Sequence, residues 1–172
     1  MKTFLYVRGQ PGVGKITVAR ELERDLGWRL YWFHDLKNAV YNIVQEHRIS
    51  RLMDAITGPV ARHLLEAGHD VIYVRPSPDV QTVNVMRQVV AEFPEYRFVV
   101  VRLVADYDTL LERATGRVDP YRITTKDDLD EYLADKTMAD LDDEVVVPTE
   151  GLSAREVAEQ VKQALEMEVG RP

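Results

Sequence analysis

The sequence predicts an α/β fold, a five-stranded parallel sheet with helices on both faces, and three observations carry that prediction. Short β-rich apolar runs alternate with helical apolar periods along the chain, as repeated strand–helix crossovers require. A glycine-rich turn joins the first apolar run to the first helical period. The fourth run is almost wholly apolar, as a central parallel strand covered on both sides should be. The 172 residues suffice for one domain with a real core, and 45% hydrophobic with 30% charged residues is a globular balance.

The first strand is expected at residues 3–7. The first helix spans 15–26, with Val18, Ala19, Leu22 and Leu26 on one face and Gly27 as its stop. The second strand, 29–33, ends at His34-Asp35, and a helix follows through Leu36, Ala39, Val40 and Ile43. Ser50 is placed as the cap of a longer helix reaching residue 67, with Met53, Ile56, Val60 and Leu64 inward. Gly58-Pro59 is expected to bend or divide it, and Gly68 to end it. The third strand, 70–74, leads into Arg75-Pro76. The next helix, 79–93, turns Val83, Met86, Val90 and Phe93 inward, and Pro94 breaks it.

The fourth strand covers 97–104, and Asp106 caps a helix through Leu110, Leu111 and Arg113. Residues 117–142 form the most polar stretch and read as a mobile lid plus a short helix. The fifth strand is 144–147. Ser153 with Glu156 three residues on is a capping box, opening a last helix with Val157, Val161 and Leu165 inward. No repeat or linker interrupts the chain, so residues 1–172 read as a single domain.

Composition narrows the classes. No run approaches 18 apolar residues, so no membrane span is expected. The start, Met1-Lys2-Thr3, leads straight into a strand without a signal-peptide pattern. The absence of cysteine excludes disulfides, cysteine–zinc sites and thiol chemistry, and fits the cytoplasm as the expected location. A formal charge of −7 argues against a broad nucleic-acid-binding face.

Chemistry concentrates at Gly9, Pro11, Gly12, Val13, Gly14, Lys15, Ile16 and Thr17. Gly9 and Gly14-Lys15 stand at the spacing of the phosphate-binding P-loop, G-x-x-x-x-G-K-[ST]. Glycines let successive amides turn inward as an anion nest, and the following helix start adds partial positive charge. Strand, glycine turn and helix come in the required order, which makes the expected fold a three-layer P-loop NTPase. One departure stands out. The residue after the lysine should carry a hydroxyl for Mg²⁺, and here it is Ile16, which cannot bind a hard cation. Thr17 is next door but turned about 100° around the helix.

The order of elements, Gly9–Thr17 and the run Leu110-Leu111-Glu112-Arg113-Ala114-Thr115-Gly116-Arg117 resemble the small P-loop kinases: adenylate kinase, shikimate kinase, gluconate kinase and chloramphenicol phosphotransferase. That second run resembles the L-x-x-R-x-x-G-R with which adenylate-kinase-like proteins open their lid. The resemblance implies an ATP-dependent transfer with Mg²⁺. Arg113 would lie against adenine or a phosphate, Arg117 would clamp the transferring group, and Thr149-Glu150-Gly151 would border adenine. Asp35 would orient or deprotonate the acceptor hydroxyl, with His34, Lys37 and Asn38 nearby. Phosphoryl transfer independently asks for cations brought in by a lid, and Arg122 and Lys126 are further candidates.

Each has a plainer alternative. The lid cations can pair with Asp119, Asp127 and Asp128, and Asp35 can be a helix cap. Many P-loop proteins end the third strand in an acid that holds the Mg²⁺ shell. Here Arg75 stands instead, suited to an anionic acceptor or to a structural ion pair. Arg62 could reach the acceptor region, while His47, His63 and His69 show no metal spacing. The metal would rest on nucleotide oxygens and water, with Thr17 or Asp35 as the protein candidates. The expected partners are a nucleotide and a small-molecule acceptor, in a monomer or homodimer. The alternatives are a nucleotide-binding protein impaired in Mg²⁺ use, and a 5′-hydroxyl polynucleotide kinase.

Overall fold

The computed structural model describes residues 1–45, 49–76, 80–115 and 123–169. Five parallel strands, β1 (Lys2–Gly9), β2 (Arg29–Trp32), β3 (Val71–Val74), β4 (Tyr96–Val104) and β5 (Glu144–Pro148), stand in the order β2-β3-β1-β4-β5. The centre is therefore β1, with β4 as its inner neighbour. Residues 3–9 of β1 are buried without a break, so its two neighbours and both helical layers cover it.

Alternation along the strands splits the core in two. Leu5, Val7, Ile72, Val99 and Val101 face helices α1 (Lys15–Leu26) and α7 (Ala154–Val169). Phe4, Tyr6, Val71, Tyr73 and Val100 face α3 (Ser50–Glu66) and α4 (Val80–Ala91). Tyr6 meets Tyr73 edge-on at 4.9 Å between ring centres, a favoured aromatic geometry. The remaining helices are α2 (Phe33–Val44), α5 (Tyr107–Thr115) and α6 (Lys126–Asp135).

Several local signals act as expected. Gly27 closes α1 at φ 69°, and Asp106 Oδ1 accepts the Thr109 amide at 2.7 Å. Ser153 and Glu156 form the reciprocal box: the Ser153 amide donates to Glu156 Oε2 at 2.8 Å and the Glu156 amide to Ser153 Oγ at 3.3 Å. Others correct the reading. Phe33 opens α2 rather than closing β2, and Trp32 is the cap residue, so Asp35 is no cap but sits in the first turn. Ser50 is likewise the first helical residue of α3, behind Ile49. Pro59 lies inside α3 without dividing it. The deepest stripe of α3 keeps Met53 as expected but continues through Thr57, Ala61 and Leu65, with Ile56, Val60 and Leu64 only partly buried beside it.

Within the stretch expected as a lid, α6 drives Leu129 into the core at 0% exposure, so this helix is anchored. Residues 136–143 then return over the end of the sheet and close on a buried charge cluster. Arg8, 0% exposed on β1, donates to the Ala139 carbonyl at 2.7 Å and pairs with Glu144 at 3.3 Å. Arg102, its register neighbour on β4, shares Glu144 at 2.9 Å and reaches Asp140 at 2.7 Å. Two arginines thus fix one buried carboxylate just upstream of the glycine loop. Among the described residues no helix is long and apolar enough to cross a membrane.

Candidate functional site

The glycine loop leaves β1 at the carboxyl edge of the sheet, where open α/β folds bind ligands. Its shape is imposed by neighbouring backbone. Gly9 has φ 144°, and a Cβ there would lie 2.5 Å from the Leu103 carbonyl oxygen. Gly12 has φ 84°, and a Cβ would lie 2.7 Å from the Leu110 carbonyl oxygen. Gly14, at φ 94°, is the cap residue of α1, and no side chain caps the amides that follow. The first intrahelical bond is Val18 amide to Gly14 carbonyl at 3.0 Å, so the Lys15, Ile16 and Thr17 amides point out of the helix start. No acid stands in that first turn to compete with an anion. The Lys15 ammonium folds back on its own loop, donating to the Gly9 and Gln10 carbonyls at 2.8 Å each.

Two clefts meet at this loop. One is lined by Val13, Gly14, Thr17, Arg113, Thr149 and Leu152 among others. Arg113 is held there by Thr149, donating to its hydroxyl and its carbonyl at 2.9 Å each. The other cleft, about 220 Å³, lies across Pro11, Gly12, Gly14 and Lys15 and runs out over Ile16, Trp32 and His34. Val74, Pro76, Ala114, Ile123 and Tyr132 are its other described lining residues. Burial raises the Tyr132 phenol above its ordinary value, so it enters this cleft as a neutral group.

The structure brings Gly9, Pro11, Gly12, Val13, Gly14, Lys15, Ile16, Thr17 and Arg113 together around the loop. Ile16 and Thr17 part company, one on each cleft, as their angular offset on α1 dictates. Asp35 and Asn38 are exposed on α2 and stay off the described walls of both clefts, whereas His34 reaches one. Arg75 stacks over the Phe33 ring at 4.3 Å and pairs with Asp54 at 3.3 Å, again off those walls. Arg62 pairs with Glu92 on the surface, and Lys126 pairs with Asp130 along α6. Arg117 and Arg122 lie outside the described residues. Trp32, Ile123 and Tyr132 are wall residues that no motif announced; their signal was an aromatic at a strand end and apolar positions inside a polar stretch.

A metal finds little here. Ile16 offers no donor, Thr17 faces the other cleft, and no group of three or more acidic or histidine side chains gathers among the described residues.

No family model matches the chain, and no curated protein matches it by sequence. Solved structures do. A candidate kinase from Chloroflexus aurantiacus superposes with TM-score 0.71 at 18% identity, covering 94% of this chain and 97% of that one. A sugar kinase from a Janibacter species gives 0.69 at 17% identity, covering 96% and 95%. Shikimate kinase from Aquifex aeolicus gives 0.64 at 18% identity, covering 96% and 98%. The chain has the fold of these P-loop kinases over nearly its whole length.

Proposed function

We propose that this chain is an ATP-dependent phosphotransferase that moves a γ-phosphoryl group to a hydroxyl or phosphate of a small molecule. One observation carries the reading: a single glycine loop, with its helix start, is shared by two clefts. Phosphoryl transfer requires donor and acceptor in line across such a point. The Thr17–Arg113–Thr149 cleft suits the nucleoside, with Arg113 fixed by its two bonds to Thr149. The inward amides after Gly14 would hold the phosphates, and the Lys15 ammonium would exchange its loop carbonyls for phosphoryl oxygens. The acceptor would enter from the Trp32–His34 side, with Asp35 and Asn38 at its rim. Arg117 and Arg122 are proposed as the cations that close over the transferring group.

The bound nucleotide supplies the phosphoryl group and its leaving phosphate. Mg²⁺ fits the described side chains poorly, so no step is assigned to a protein-held metal. That poor fit favours a second reading, a nucleotide-binding protein with little or no turnover. Calorimetry with ADP and ATP, with and without Mg²⁺, paired with turnover before and after Ile16→Thr, separates the two. A kinase gains Mg²⁺-dependent turnover with Ile16→Thr; a binder holds ATP and turns over in neither form. Absence of heat with either nucleotide removes both.

A further inference from the structure

The last two rungs of the β1–β4 ladder stand directly beneath the glycine loop. They pair Arg8 with Arg102 and Gly9 with Leu103. Neighbouring strands lie about 4.8 Å apart, and register partners in a parallel pair share a face, so the two arginines project side by side. They stand two residues beyond Tyr6 and Val100, on the face of the sheet that those residues occupy. Arg8 is fully buried and Arg102 half-buried. Like charges so placed repel, because little water screens them.

Glu144 answers that repulsion. Its carboxylate, buried at the start of β5, reaches Arg8 at 3.3 Å and Arg102 at 2.9 Å. Asp140 also pairs with Arg102, but its side chain is exposed, where an ion pair contributes little. The effect reaches the loop through adjoining backbone. Gly9 follows Arg8 directly, and it sits so close to β4 that a Cβ would lie 2.5 Å from the Leu103 carbonyl oxygen. The Gly9 carbonyl in turn accepts from the Lys15 ammonium.

We infer that Glu144 is a positioning residue of the phosphate loop, acting through Arg8 and Arg102, an inference that rests on reading this loop as a phosphate site. By neutralising the arginine rung it holds Gly9 against Leu103, and so fixes where the loop begins. Without that charge the rung opens, Gly9 leaves Leu103 and the amides after Gly14 lose their common focus. The hold is electrostatic: the rung requires an anion, and the strand that supplies it is interchangeable.

The test is calorimetry on the full chain with ADP and with pyrophosphate, in the cold, on samples shown to be folded by circular dichroism. Glu144→Gln should weaken both ligands by the same factor, about tenfold or more. A common factor places the loss at the phosphates rather than the nucleoside. Adding Arg102→Glu to Glu144→Gln moves the carboxylate to β4 beside Arg8, and should recover most of the affinity. Glu144→Asp keeps the charge but is one methylene short of bridging two arginines. It should weaken both ligands about threefold, and it carries the comparison should Glu144→Gln fail to fold. Val90→Ala, a cavity made in the core face of α4, should lower Tm and leave both affinities unchanged. A Glu144 variant that melts lower yet binds both ligands as the native chain does overturns the inference, and so does a loss confined to ADP. A folded double variant that stays weak overturns the electrostatic hold. These outcomes leave the phosphate-loop reading standing; absence of heat with either ligand in the native chain removes that reading and the inference together.

Discussion

Gly12 puts the glycine cradle to a quantitative test. Its φ is 84°, and a Cβ there would sit 2.7 Å from the Leu110 carbonyl oxygen and 3.3 Å from the Leu110 Cα. An alanine therefore meets two costs. Left-handed backbone costs an L-residue about 1–2 kcal/mol. Forcing the backbone of α5 aside is overpacking, worth roughly 1–3 kcal/mol. Gly12→Ala should lose about 2–5 kcal/mol, a fall in Tm of about 4–20 °C for a chain this size. Gly14 and Gly27, at φ 94° and 69°, have nothing within 4 Å of a Cβ and meet the first cost alone. Gly27 closes the far end of α1 and serves as the control. Urea melts and ADP calorimetry on the three variants decide the matter. Gly14→Ala and Gly27→Ala should lose similar stability, but of these two only Gly14→Ala should weaken ADP, by about tenfold or more if one charge-assisted amide bond is lost. Equal destabilisation by Gly12→Ala and Gly27→Ala, or full ADP affinity in Gly14→Ala, would refute the cradle.

Other perturbations probe the surroundings. Glu144→Gln leaves Arg8 buried without its counter-charge, while half-buried Arg102 keeps Asp140, and should cost about 3–5 kcal/mol in a denaturant melt; a loss under about 1 kcal/mol would count against the cluster. Arg113→Ala removes both bonds to Thr149 and should weaken ADP binding by calorimetry while sparing the fold; unchanged affinity would take the nucleoside out of that cleft. The Thr109 amide holds the Asp106 carboxyl below its ordinary value of 3.8. Because the folded value is depressed, the cap contributes fully above the unfolded value and fades as pH falls through the folded one. Asp106→Asn should flatten the stability slope below about pH 4, read by melts across that range; an unchanged slope would assign it to other carboxylates.

Much of this was legible in the chain, and the failures have causes. Gly27, Asp106 and the Ser153–Glu156 pair act within a few residues of themselves, so local chemistry announces them. The start of α2 was misplaced because Phe33 suits a strand as well as a helix. That shift set the helical phase at the site: His34 reaches the cleft wall and Asp35 faces solvent. The strand order was not readable, because it depends on partners far along the chain. Arg8 falls one residue past the expected end of the first strand, yet it lies within β1, where a cation closing an apolar strand asks for a buried counter-charge. Its partner Glu144 opens β5, where sequence reading saw only the first residue of a strand.

The central place of β1 bears on how the protein is made. Phe4 must find Val71 on one side and Phe98 on the other, both distant along the chain. Closing such long loops is slow, and the nascent chain presents its phosphate-gripping turn well before β3 and β4 arrive to shape it. An amino-terminal fragment ending before Tyr96 would keep every motif residue from Gly9 to Thr17 and still lack the Leu103 and Leu110 backbone against which that turn is moulded.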